Sequence, residues 1–195
     1  MEQNDILKLE KKLKKELDVD RYRHTMGVMY TAAALAMCYG EDVNRAMTAG
    51  LLHDCAKCIP NDKKLHMCEK YRIEVSSIEK SAPSLLHSKL GACLARAEYG
   101  VTDPEILSAI RWHTTGRPAM TLLEKIIFMA DYIEPGRWKA VNLDRIRTLS
   151  FRDLDMAVYL TMRDTLAYLE KGSGTVDETT RKAYAYYEKI ASDDE

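Results

Sequence analysis

Asp20-Arg21-Tyr22-Arg23-His24-Thr25-Met26-Gly27-Val28-Met29-Tyr30-Thr31-Ala32-Ala33-Ala34-Leu35-Ala36-Met37-Cys38-Tyr39-Gly40 reads as one helix, and that reading decides the class of the fold. Asp20 offers an N-cap oxygen and Gly40 a residue free to end the helix. His24, Val28, Thr31 and Leu35 share one face at the helical period. The same period continues on both sides. Asp42 opens a helix that ends near Cys58, before Pro60, and Ser84 to Tyr99 is periodic up to Gly100. Asp103 and Pro104 are an N-cap and first-turn pair for a helix reaching His113. Thr121 and Glu124 have capping-box spacing, opening a helix through Ile126, Ile127 and Asp131 that stops before Pro135. Helices over about 5–17, 151–171 and 177–192 and one or two short ones between Asn61 and Pro83 complete an all-α reading. Gly172-Ser173-Gly174 separates the last two long helices. Strand-like alternation is almost absent.

With 46% hydrophobic and 30% charged residues, the 195-residue chain has a globular composition. It is long enough for one domain: 1–195, a core of about 20–171 with the terminal helices packed on it. A net charge of −1 argues against a protein whose main task is holding nucleic acid by charge, but leaves room for a small anionic substrate. No apolar run approaches the ~18 residues that span a bilayer, so no membrane partner is expected. Acidic residues in Met1 to Asp5, no signal-like segment and an odd set of five cysteines predict a cytoplasmic protein. The many tyrosines and methionines leave a homodimer open. Trp112 is the candidate for stacking on a base.

The chemistry lies in the histidines. Of five, His24, His53, His87 and His113 fall on apolar stripes, whereas His66 sits among Asp62, Lys63, Lys64 and Glu69 as a surface residue. Two carboxylates, Asp54 and Asp131, share the inward faces. A buried carboxylate costs several kcal/mol unless a cation or strong donors compensate it. Each of these residues taken singly has a structural explanation. Six together, spread over five helical segments, are accounted for at once by a metal cluster. Six ligands exceed one tetrahedral site and suit two ions bridged by a carboxylate, with positions left for water and substrate. Nitrogen and carboxylate donors fit iron, manganese, cobalt or zinc. Lys57, three and four residues beyond Asp54 and His53, projects over the same face if the helix continues. Cys55-x-x-Cys58 has no second cysteine pair to complete a zinc site and no βαβ context for thiol redox chemistry.

Arg23-His24-Thr25-x-Gly27-Val28, Leu52-His53-Asp54-x-x-Lys57, Leu86-His87-Ser88, His113-Thr114-Thr115-Gly116-Arg117-Pro118 and Leu123 to Arg137 resemble the HD-domain metal-dependent phosphohydrolases. The resemblance is to their YqeK-type branch, the symmetrical diadenosine tetraphosphate hydrolases, over roughly residues 20–171. It implies an HD-domain helical bundle with a dinuclear iron centre, manganese or cobalt being substitutes. His24, His53, Asp54, His87, His113 and Asp131 are then the ligands and Asp54 the bridge. The implied activity is cleavage of diadenosine tetraphosphate to two ADP by metal-activated water, with Asp54 and Lys57 catalytic. Lys57, Thr114, Thr115, Gly116, Arg117 and Arg137 are implied for phosphate handling. An alternative keeps the site and changes the substrate to a nucleoside monophosphate, a cyclic dinucleotide or guanosine tetraphosphate.

Overall fold

The computed structural model describes residues 3–171 and 176–193, and among these every regular element is a helix. The first, α1 (Gln3–Glu16), turns Ile6, Leu9 and Leu13 inward. The N-cap of α2 (Val19–Tyr39) is Asp18, which accepts from the Arg21 amide at 2.8 Å, rather than the expected Asp20. Asp20 falls in the first turn, where its charge still favours the helix dipole. Gly40 closes α2 in the left-handed region, at φ 75°.

The next helix, α3 (Val43–Leu52), is capped by Asp42 and stops well short of the expected Cys58. His53 and Asp54 are sequence neighbours, which a continuing α-helix would point about 100° apart. Tightened turns replace it: the Cys55 amide bonds Leu52 O at 3.1 Å and the Lys57 amide bonds Asp54 O at 2.9 Å. The buried Lys64 of α4 (Asn61–Lys70) holds this segment by donating to Lys57 O at 3.2 Å. The second short helix is α5 (Ser77–Ser81), with a Ser76/Glu79 capping box. A 3-10 turn at Pro83–Leu85 leads into α6 (Leu86–Ala97).

Both α7 (Pro104–Trp112), capped by Asp103, and α8 (Leu122–Ile133), with its Thr121/Glu124 capping box, begin where the sequence predicts. Periodicity does not reveal α9 (Leu143–Ser150), which buries only Leu143 and Ile146 among its apolar residues. The last helices are α10 (Leu154–Lys171) and α11 (Glu178–Asp193). The expected separator Gly172-Ser173-Gly174 lies outside the described residues, as do Met1 and Glu2.

At the centre, α3 packs against α2, α7 and α8, while α6 lies on α7, and α10 on α8, α9 and α11. A Cβ on Gly50 would lie 3.0 Å from the Met29 Cα, so the α2/α3 crossing requires the bare backbone. That closeness offsets the ~1 kcal/mol a mid-helix glycine costs relative to alanine. No helix among the described residues is long and apolar enough to cross a membrane.

Candidate metal centre

His24 comes from α2, His53 and Asp54 from the turns after α3, His87 from the start of α6, His113 from the end of α7 and Asp131 from α8. Three of the rings are fixed in one way. Nδ1 of His53 donates to Gly50 O at 2.7 Å, that of His87 to Ser84 O at 2.6 Å and that of His113 to Ile110 O at 2.8 Å. His24 Nδ1 donates instead to Glu134 Oε1 at 3.0 Å. These oxygens only accept, so in each neutral ring Nδ1 carries the proton and Nε2 is a bare lone pair. Outer partners of this kind orient metal-ligating imidazoles.

The bare nitrogens converge on the two carboxylates. His87 Nε2 lies 3.2 Å and His113 Nε2 3.6 Å from Asp54 Oδ1, and His53 Nε2 lies 3.5 Å from Asp54 Oδ2. On the other side, His24 Nε2 is 3.0 Å from Asp131 Oδ1. His87 Nε2 and His113 Nε2 are themselves 3.2 Å apart. With the ring protons committed elsewhere, these are acceptors facing acceptors. His24 Nε2, His53 Nε2 and Asp54 Oδ1 are buried without a hydrogen-bond partner. Such a set fits a cation. Two overlapping groups, His24/His53/Asp131 and His53/Asp54/His113, each hold their ligand atoms within 4.8 Å of one another.

The carboxylates are already poised as anions. Burial pushes Asp54 up, but the His53 ring beside it, with His113 and His87, any of which would donate to the carboxylate if protonated, outweighs it and the group is held well below the usual carboxylate range. Asp131 is likewise held low against the cost of burial, by His24, His53 and Arg137. Burial pushes His87 down to about 4, assisted by the neighbouring His113 and Lys57, so it is neutral near pH 7.

Around this cluster the residues expected to handle phosphate divide. Lys57 Nζ reaches His87 Nε2 at 3.1 Å despite the early end of α3, because the turns keep it on Asp54's side. The Thr114 hydroxyl is 3.0 Å from His113 Nε2 and 3.1 Å from His87 Nε2. Arg137 holds Asp131 Oδ1 at 2.6 Å. The rest of the loop turns away. Thr115 Oγ1 bonds Gly116 O, and Gly116, at φ 64°, is packed so that a Cβ would strike Met162. Arg117 is committed to Glu124 on α8, at 2.8 and 3.1 Å, so its guanidinium serves the fold rather than the cluster.

Three contributors escape sequence reasoning. Arg21 bonds Asp54 Oδ2 at 2.6 Å; its position one turn before His24 is a signal that could have found it. Glu134 is buried, holds His24, and accepts from the Gly136 amide. Gly27 makes room for it, since a Cβ there would meet Glu134 Oε2 at 2.5 Å. Trp138 lines a cleft of about 790 Å³ that also takes in Arg21, His113, Thr114, Asp131 and Arg137. Trp112, the sequence's stacking candidate, lines a separate cavity of about 270 Å³ with Thr115. The two thiols of Cys55-x-x-Cys58 go to different neighbours, Gly91 O and Asp18 Oδ2, and burial pushes both up in pKa.

A helical bundle with a His-Asp pair at its centre and three further histidines around it defines a class. The HD domain family matches residues 21–136, and the chain belongs to that family. Over 172 residues it is 40% identical to the symmetrical bis(5'-nucleosyl)-tetraphosphatase of Bacillus subtilis, covering 88% of this chain and 91% of that protein. It is 39% identical, with the same coverage, to the protein of that name from Halalkalibacterium halodurans. A crystal structure from Clostridium acetobutylicum, described as a predicted HD superfamily hydrolase involved in NAD metabolism, matches with a TM-score of 0.90 at 39% identity. The match covers 94% of this chain and 96% of that one. Within the HD domain family the chain therefore groups with the symmetrical bis(5'-nucleosyl)-tetraphosphatases.

Proposed function

We propose that the chain hydrolyses diadenosine tetraphosphate symmetrically, taking up one water and releasing two ADP, at a pair of metal ions held by His24, His53, Asp54, His87, His113 and Asp131. The observation that carries the reading is the convergence of bare Nε2 lone pairs on Asp54 and Asp131, with each Nδ1 proton committed elsewhere. Relatives of that name, matched over most of the chain, support the substrate. Asp54 presents one oxygen to His87 and His113 and the other to His53, so its carboxylate would serve both halves of the donor set if two ions were held. Nitrogen and oxygen donors without a thiolate suit iron, with manganese or cobalt as substitutes.

When bound, such ions lower the pKa of a shared water and neutralise charge on phosphoryl oxygens. The chain supplies the rest. Lys57, a third exposed and beside His87, donates to a phosphoryl oxygen and offsets the charge that develops as the leaving diphosphate departs. Arg137 and Arg21 line the cleft, paired with Asp131 and Asp54, and hold the rest of the polyphosphate. The Thr114 hydroxyl adds a neutral donor. Glu134 fixes the His24 ring. Residues 1–195 act as one HD domain, and the five free thiols accord with a cytoplasmic setting.

The test is product identification. Metal-loaded protein incubated with diadenosine tetraphosphate should accumulate ADP alone. AMP plus ATP, or no turnover while another nucleotide is hydrolysed, would overturn the symmetrical assignment.

A further inference from the structure

Trp138 is 78% exposed, an unusual position for the largest apolar side chain. It is also held in place. Pro135 and Gly136 end α8, and the Arg137 amide bonds back to Glu134 O at 2.9 Å. From α9, Arg147 donates to Ile133 O, Glu134 O and Arg137 O at 3.0, 3.0 and 2.8 Å. Three carbonyls of one turn are thus gathered by one guanidinium, and the indole is displayed from a clamped backbone.

Trp138 follows Arg137 directly, whose side chain reaches Asp131, and both residues line the cleft of about 790 Å³ as well as a neighbouring cavity of about 540 Å³ on the α9 side. Among the cleft's lining residues Arg21, Thr114 and Arg137, each in contact with a cluster residue, present donors to an anion. The same lining includes Phe128, Tyr132 and Met162 beside polar side chains such as Thr161 and Thr165. The Lys139 ammonium lies 4.6 Å from the centroid of the Trp138 ring, which leaves the other face of the ring to a flat partner. A ligand matching this surface carries phosphates for the donors beside the cluster and an aromatic ring for Trp138. The cleft volume falls in the range that encloses small-molecule ligands.

We infer that Trp138 is the base-stacking residue of this chain: it holds a purine ring of the dinucleotide, or of the ADP formed from it, while Arg137 beside it holds the phosphates. The inference rests on the nucleotide reading above and deepens it by naming a specificity-determining residue. Stacking is tolerant of base identity because every base has a π-face, so this contact selects for a nucleoside and not for adenine over guanine. Trp112 does not serve, being half-buried beside Arg111 in the cavity of about 270 Å³.

The chain has two tryptophans, so Trp112→Phe leaves Trp138 as the single emitter. ADP added to that metal-loaded variant should quench or shift its emission, and inorganic diphosphate should not. By calorimetry on the otherwise unaltered protein, Trp138→Ala should weaken ADP binding about five- to thirty-fold, the lower part of the range for base–aromatic stacking. Trp138→Phe should restore most of it, and diphosphate affinity should not change. ADP bound with Trp138 emission unmoved, or bound equally by Trp138→Ala, would overturn the inference. Both measurements read binding of ADP itself. They stand if the dinucleotide is cleaved to other products, the outcome that defeats the proposed function instead.

Discussion

His113–Arg117 and Asp131–Arg137 begin alike, each with a cluster residue and each ending in an arginine, yet the two arginines go opposite ways. After His113 the chain turns off at Gly116, in the left-handed region, and Arg117 meets the Glu124 carboxylate, whose side chain is 0% exposed. After Asp131 the helix runs on to Ile133, Glu134 accepts from the Gly136 amide, and the Pro-Gly turn folds back so that Arg137 returns to Asp131. In the first segment the guanidinium neutralises a charge the core has buried. In the second it neutralises one left 22% exposed at the edge of a cleft. Where the nearest unpaired carboxylate lies decides whether an arginine belongs to the fold or to the site.

Breaking the first pair has the larger expected effect. Arg117→Met strands a buried carboxylate and should destabilise the protein by about 3 kcal/mol, lowering the melting temperature by about 6–12 °C for a chain of this size. Turnover measured well below the transition should not change. Arg117→Met/Glu124→Gln should regain most of the loss, because an amide has no charge to strand. A melting shift under about 2 °C, or a fall in turnover at low temperature, would return Arg117 to the phosphate path.

The second segment should behave in reverse. Glu134→Gln weakens the partner that fixes His24, and metal affinity should fall about ten- to a hundred-fold, read by titrating metal-free protein with manganese. Unchanged affinity would confine Glu134 to holding the turn. Arg137→Gln should cost about tenfold in kcat/KM for the dinucleotide, with a melting shift of under about 2 °C, since half-exposed ion pairs stabilise little. A large melting shift with normal kinetics would erase the contrast with Arg117.

The two segments also show what a sequence carries. Inward histidines at helical spacing, the Thr121/Glu124 capping box and the Asp103-Pro104 start are local patterns, and the all-α fold follows from them. Asp18 and Asp20 are both good caps two residues apart, and only the backbone path puts Asp18 on the Arg21 amide. Pointing two adjacent residues, His53 and Asp54, into one site needs turns that a helical pattern does not announce. The destinations of Arg21, Arg117 and the Glu134 side chain are long-range facts. Glu124 is written as a capping-box residue, and nothing nearby says that its carboxylate is also the buried partner of Arg117.

Thr114 and Thr115 reduce the comparison to two adjacent, chemically identical side chains. The Thr114 hydroxyl faces two bare histidine nitrogens, at 3.0 and 3.1 Å, and can donate its one proton to only one of them at a time. On the proposed reading, metal ions take up those nitrogens and leave the hydroxyl as a neutral donor for a phosphoryl oxygen. Thr115 donates to the carbonyl of its own neighbour, at 3.0 Å, and faces the cavity it shares with Trp112. Valine keeps the shape of either residue and removes the hydroxyl. One neutral hydrogen bond is worth about 0.5–1.5 kcal/mol, so Thr114→Val should lower kcat/KM about two- to tenfold. Thr115→Val should stay within about twofold of the parent. Equal losses in the two variants would mean that the hydroxyls act through the turn and not on the substrate, and the division of the loop at residue 114 would fail.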